Sequence, residues 1–190
     1  MSGLWRDRAR KGNKEDPVGR PARADGGFGL VLGRRFEYQG ARMTEARRFK
    51  LGVLGSGKGS NFVAIADACA AGRVPAAIEI VLSDVPGAGI LDRARERGIR
   101  AEHLAPGGLR TRLDEASERA YVAALQAAGV DLVVLAGFMR ILKADFLRAF
   151  PGRVVNIHPS LLPAFPGLEA WKQALEHGVK VTGVTVHLVD

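Results

Sequence analysis

The stretch Asp131-Leu132-Val133-Val134-Leu135-Ala136 decides the fold. It is a short apolar run without polar alternation. A strand with one wet face alternates apolar and polar residues, so an unbroken run of this length is one buried on both faces. Gly129 precedes it and Gly137 follows it. Working outward, further strand-like runs stand at Lys50–Gly55, Ile78–Leu82, Arg153–Ile157 and the β-branched Thr182–Val189, with a more polar third candidate at Arg100–Leu104. Between the runs lie stretches with helical spacing: Asn61–Ala71, Gly89–Arg97, Leu113–Ala128, Lys143–Phe150 and Leu168–His177. Each is followed by Gly72, Gly98, Gly129, Pro151 or Gly178, residues that end helices. Strand and helix alternate, which predicts an α/β, doubly wound, mostly parallel sheet. Ligands in such sheets sit outside the carboxyl ends of the strands, so the chemistry is sought just after each run.

Composition narrows the class. The 190 residues are 47% hydrophobic and 6% aromatic, which is globular and excludes collagen-like, fully disordered and membrane-spanning chains. The single cysteine, Cys69, excludes a disulfide framework and points to a reducing compartment. Twenty-eight Lys+Arg against 20 Asp+Glu give a net charge of +8, which invites nucleic acid or an anionic membrane as partner. The distribution argues otherwise. Residues 1–42 hold ten basic and five acidic residues with eight glycines and two prolines, leaving only +3 on 43–190. Residues 1–42 have no period beyond Phe28–Leu32, and read as a disordered Gly/Arg-rich extension, with the functional start either Met1 or Met43. They contain no apolar signal region, too many acids for a transit peptide, and no aromatic interleaving for base stacking. The expectation is a cytoplasmic domain over 43–190, with small-molecule partners and neither nucleic acid nor membrane.

Three loops carry candidate chemistry. Gly55-Ser56-Gly57-Lys58-Gly59-Ser60-Asn61 joins a strand to a helix start, where glycines and backbone N–H groups suit a phosphate. It departs from the P-loop spacing, and Ser60 stands where the dinucleotide fingerprint has its third glycine. Asp84, at the end of the second run, is placed like the ribose-binding acid of that fingerprint. Gly137-Phe138-Met139-Arg140-Ile141-Leu142 offers backbone to a flat ligand, or simply core side chains. Asn156-Ile157-His158 puts an amide and an imidazole on one side of a strand end. Asn stabilises a developing oxyanion and His moves a proton, which suits acyl transfer. No nucleophile elbow accompanies them. His187 belongs to the last run; it could line the same cleft, but a core or surface place is the expectation. The four histidines lack metal-ligand spacing, so no metal is expected.

GSGKGSN, LAGFMRIL and VVNIHPSLLPAFPG, in this order, resemble the phosphoribosylglycinamide formyltransferases of purine synthesis over residues 49–190. Methionyl-tRNA formyltransferase and formyltetrahydrofolate deformylase share the Asn-x-His element and are the alternatives, beside a non-catalytic nucleotide-binding fragment. The resemblance implies a Rossmann-like formyltransferase fold that transfers a formyl group from 10-formyltetrahydrofolate to the amine of 5′-phosphoribosylglycinamide, without metal, as a monomer or homodimer. Gly59, Ser60 and Asn61 would hold the phosphate. Met139, Arg140, Ile141 and Leu142 would line the pterin pocket. Asn156 would bind the formyl oxygen and His158 would be the catalytic imidazole. Arg112, with Arg110 as the second choice, would touch the folate. Family members continue past the Val-His-Leu-Val-Asp element to an aspartate that orients the histidine. Asp190 comes too early to be that residue. The resemblance therefore implies a domain incomplete at its C-terminus, and an inactive or unstable chain as given.

Overall fold

The computed structural model describes residues 48–189. The readings made on 1–42 and on Asp190 lie outside the described residues. Six strands and five helices alternate: β1 (Phe49–Leu54), α1 (Ser60–Ala70), β2 (Ala76–Ser83), α2 (Gly89–Arg95), β3 (Arg100–His103), α3 (Glu115–Ala127), β4 (Leu132–Leu135), α4 (Ala144–Ala149), β5 (Val154–His158), α5 (Ala170–Glu176) and β6 (Thr185–Leu188). Every run read from the sequence is present, trimmed by one to three residues at most ends. The glycines absorb the trimming. Gly129, at φ 66°, turns the chain from α3 into β4, a conformation that costs a side chain strain and glycine nothing.

The sheet order is β3-β2-β1-β4-β5-β6. β1 to β5 are parallel, and β6 runs antiparallel to β5. The run that decided the fold is one of the two strands at the centre. Val133 and Leu135 of β4 enter a core with Leu54, Leu82, Leu125 and Phe146. Val134 enters the opposite core with Val53, Phe62, Val81 and Ile90. Period two sends neighbours to opposite faces, and both faces are covered, which is why the run needs no polar residue. Gly52 lets α3 lie close on β1, since a Cβ there would stand 2.4 Å from Leu125 Cδ2.

Polar groups support this packing at the loops. The Asp114 carboxylate caps α3 by accepting the Ser117 N–H at 2.8 Å. These bonds hold its carboxyl below the usual aspartate range. Glu118 is buried, and its Oε1 accepts the Lys143 N–H at 2.8 Å where α4 begins. No described helix is long and apolar enough to cross a membrane.

Candidate functional site

The connections after β1 and after β4 leave in opposite directions, so a crevice opens at the carboxyl ends of these two neighbours. A cleft of about 630 Å³ lies there. Asn61 contributes from α1, Phe138 to Ile141 from the loop after β4, Asn156 and His158 from β5, and His187 from β6.

The glycine loop forms one wall. Gly59 stands at φ 79° as the residue before α1, and a Cβ on it would lie 2.8 Å from Ile90 Cα. The Ile90 N–H donates to the Gly57 carbonyl at 3.0 Å, so α2 holds the loop from below. The Ser56 N–H donates to the Gly137 carbonyl at 3.0 Å and joins this wall to the loop after β4.

Behind the wall lies a polar cluster centred on the buried Asp84. Ser56 Oγ donates to Asp84 Oδ1 at 2.5 Å and accepts the Met139 N–H at 2.9 Å. Arg140 Nε donates to Asp84 Oδ2 at 2.7 Å. The same guanidinium donates to the carbonyls of Leu109, at 3.0 Å, and Arg110. Asp84 therefore does not wait for a ribose: it is buried, and both its oxygens are engaged inside the protein. Tyr121 lies near this pair. Burial pushes its phenol above the ordinary tyrosine value, the Asp84 carboxylate adds to the shift, and Arg140 opposes it.

On the far wall, β5 and β6 pair Asn156 with His187 and His158 with Thr185. Directly opposed residues share a face. Asn156 Nδ2 lies 3.2 Å from His187 Nε2, and His187 Nδ1 lies 2.9 Å from the Leu188 carbonyl. A carbonyl only accepts, so Nδ1 carries the proton and Nε2 presents a lone pair to the amide. His158 Nε2 faces the Phe165 carbonyl at 3.0 Å, so it donates there and Nδ1 is the lone pair of the neutral ring. Phe165 adopts φ 51°, a left-handed conformation uncommon outside glycine, held where the Pro-rich loop folds back over β5. Thr185 fastens that loop: its Oγ1 donates to the Ser160 carbonyl at 2.7 Å and accepts the Leu162 N–H at 3.0 Å. A half-buried amide and imidazole thus sit side by side at the mouth of an apolar cleft, each with one polar atom held by the protein.

Residues 49–190 match the formyl transferase family. The chain belongs to that family. Among curated relatives of this formyl transferase, the Escherichia coli phosphoribosylglycinamide formyltransferase is 44% identical over 137 residues, covering 72% of this chain and 64% of that protein. The Drosophila melanogaster trifunctional purine biosynthetic protein adenosine-3 is 46% identical over 178 residues, covering 89% of this chain and 13% of that protein. The chain thus spans less than two thirds of both. Among solved structures, glycinamide ribonucleotide transformylase 1 from Symbiobacterium toebii superposes with a TM-score of 0.74 at 50% identity, covering 80% of this chain and 71% of that one.

Within the formyl transferase cleft, the candidates fall into two groups. Asn61, Met139, Arg140, Ile141, Asn156 and His158 line it together. Gly59 and Ser60 form the loop and helix start beside it rather than its lining. Leu142 is only 8% exposed and packs in the core with Phe146. Arg112 makes a backbone bridge to Ile141, and Arg110 gives its carbonyl to Arg140; neither lines the cleft. His187, expected in the core or at the surface, lines the cleft and holds Asn156. Its alternation with Thr185 puts the two on one face of β6, and the β5–β6 register sets that face beside Asn156 and His158. The Ser56–Asp84–Arg140 cluster had no local signal, because its members lie 28 and 56 residues apart.

Proposed function

We propose that this chain carries the active-site face of a phosphoribosylglycinamide formyltransferase, moving a formyl group from 10-formyltetrahydrofolate to the ribonucleotide amine. The observation that carries the reading is the pairing of Asn156 and His158 on β5, opening into the same cleft as the Met139–Ile141 backbone and Asn61. The likeness to the Escherichia coli phosphoribosylglycinamide formyltransferase and the Symbiobacterium toebii glycinamide ribonucleotide transformylase supports the choice of acceptor.

The chemistry follows from the residues. The amine nitrogen attacks the formyl carbon and forms a new C–N bond, and negative charge develops on the formyl oxygen. A primary amide has two N–H donors. One of those on Asn156 faces His187, and the other is left for the oxyanion, already oriented before charge appears. The bond from the formyl carbon to folate N10 then breaks. The proton lost by the amine ends on N10, with His158 Nδ1 as its carrier. Gly59, Ser60 and Asn61 hold the phosphate at the start of α1, where unpaired N–H groups and the helix dipole favour an anion. The pterin lies along Met139 to Ile141. Arg112 or Arg110 meets the folate's acidic tail at the open end. The small polar reactants and a lone cysteine fit a cytoplasmic setting.

Calorimetric titration with phosphoribosylglycinamide and with 5-formyltetrahydrofolate tests the reading, followed by assay of the formyl acceptor. Saturable binding of both ligands is expected, with formyl appearing on the ribonucleotide. An absence of ribonucleotide binding, or formyl passing only to initiator tRNA or water, overturns it.

A further inference from the structure

Loops leave the carboxyl ends of β1, β2, β3 and β4, and one buried carboxylate links all four. Asp84 belongs to the second loop, its Oδ1 takes Ser56 of the first, and its Oδ2 takes Arg140 of the fourth. Arg140 passes the link to the third loop through the carbonyls of Leu109 and Arg110. We propose that Asp84 is a positioning residue for the folate site, holding the Met139–Ile141 backbone at a fixed height over β1 and β4. The identity of the ligand rests on the proposed function; the linkage itself does not.

The direction of the hydrogen bonds makes the case. An ionised carboxylate only accepts. The single Ser56 hydroxyl proton is therefore spent on Asp84, and a lone pair of the same oxygen is what meets the Met139 N–H. Residue 139 is tied to Asp84 by its backbone through Ser56, and residue 140 by its side chain directly. Two consecutive residues held through both oxygens of one side chain cannot slide along the strand axis. The Asp84 side chain is 2% exposed and that of Arg140 18%, so water competes little for either. Removing one partner of such a pair strands the other charge. A brace between two core elements would need none of this convergence on the cleft. Here the loop held stands at the ligand face, with residues Met139 and Ile141 55% and 65% exposed.

Asp84→Asn separates the two bonds. The amide oxygen still accepts from Ser56, but its NH2 then faces Arg140, donor against donor. On the whole chain, two readouts are compared with the unsubstituted protein: affinity for 5-formyltetrahydrofolate, and hydrogen exchange of the Met139 amide without ligand. Folate affinity falls at least tenfold, Met139 exchange speeds up at least tenfold because the loop released at Arg140 opens more often, and affinity for phosphoribosylglycinamide stays within twofold. No change in either the folate affinity or the exchange rate overturns the positioning role. Failure of the unsubstituted chain to bind reduced folate overturns the proposed function instead, and Met139 exchange then decides the positioning of the loop. Where Asp84→Asn does not fold, Ser56→Ala in its half-exposed loop releases the Met139 amide without stranding a charge. It is read by the same two measurements and the same outcomes.

Discussion

Asn156 and His187 face each other across the β5–β6 ladder, with the Asn156 amide nitrogen 3.2 Å from His187 Nε2. The contact is possible because β6 runs antiparallel to β5 and pairs residue 156 directly with residue 187. The Leu188 carbonyl accepts a hydrogen bond from Nδ1–H, so the ring offers Asn156 an acceptor. The amide is thereby held with its nitrogen towards β6, and cannot flip its oxygen there without facing a lone pair.

Loss of His187 should therefore loosen the donor rather than remove it. We expect His187→Ala to lower kcat for formyl transfer about tenfold, equivalent to about 1.4 kcal/mol of transition-state stabilisation. Asn156→Ala removes the oxyanion donor itself and should cost about 10²–10³-fold. Steady-state kinetics against the unsubstituted protein checks both. Equal kcat values for His187→Ala and the unsubstituted protein would show that the strand pair has no part in the chemistry.

The sheet was legible because burial on both faces writes itself directly into a strand such as 131–136, and because glycines mark the helix ends. The two ends of the site were legible for a similar reason: 59–61 and 156–158 are local patterns. What could not be read depends on contacts made by the fold. His187 gains its meaning from the register of β6 on β5, which the sequence of β6 alone does not specify. Asp84 looked like a ligand-binding acid because its position at a strand end is local, whereas its partners Ser56 and Arg140 are not. Leu142 read as pocket and packs as core, since an apolar residue after a strand serves either purpose until the next helix is placed.

Met139 and Leu142 should consequently separate in mutagenesis. Leu142 is buried against Phe146, and Leu142→Ala should destabilise the fold by about 2–3 kcal/mol. Met139 is more than half exposed, so Met139→Ala should change stability by less than about 0.5 kcal/mol while weakening reduced-folate binding several-fold. Urea unfolding and calorimetric titration on both variants read the contrast. Comparable destabilisation by the two changes would contradict the placement of Met139 at the ligand face.

Gly59 combines two constraints, a φ of 79° and a Cβ position 2.8 Å from Ile90 Cα. The first strains any side chain and the second requires α2 to move. Gly59→Ala should cost about 1–3 kcal/mol from the backbone conformation alone. The shifted loop should also lose ribonucleotide affinity at least tenfold, with reduced-folate affinity changed less. Denaturation midpoints and titration with phosphoribosylglycinamide measure the two effects, and normal ribonucleotide binding in a folded Gly59→Ala variant would remove the loop from the phosphate site.

Tyr121 gives a pH prediction whose sign can be worked out. Its ring is buried, and its hydroxyl donates to the Leu104 carbonyl at 2.9 Å. In the unfolded chain the phenol ionises near its ordinary value of about 10. In the folded chain burial, first, and the Asp84 carboxylate, second, keep the proton on to higher pH. Above about pH 10 the unfolded state therefore binds fewer protons than the folded one, and stability falls as pH rises. Below that pH the contribution is fully present. Tyr121→Phe should cost about 1 kcal/mol at pH 7, because the Leu104 carbonyl loses its donor. It should also remove this group's share of the alkaline slope, so that the two proteins approach each other in stability towards pH 11. Urea midpoints at pH 7 and pH 10.5 test the prediction. A constant gap between the proteins across that interval would mean that the phenol titrates alike in the folded and unfolded states.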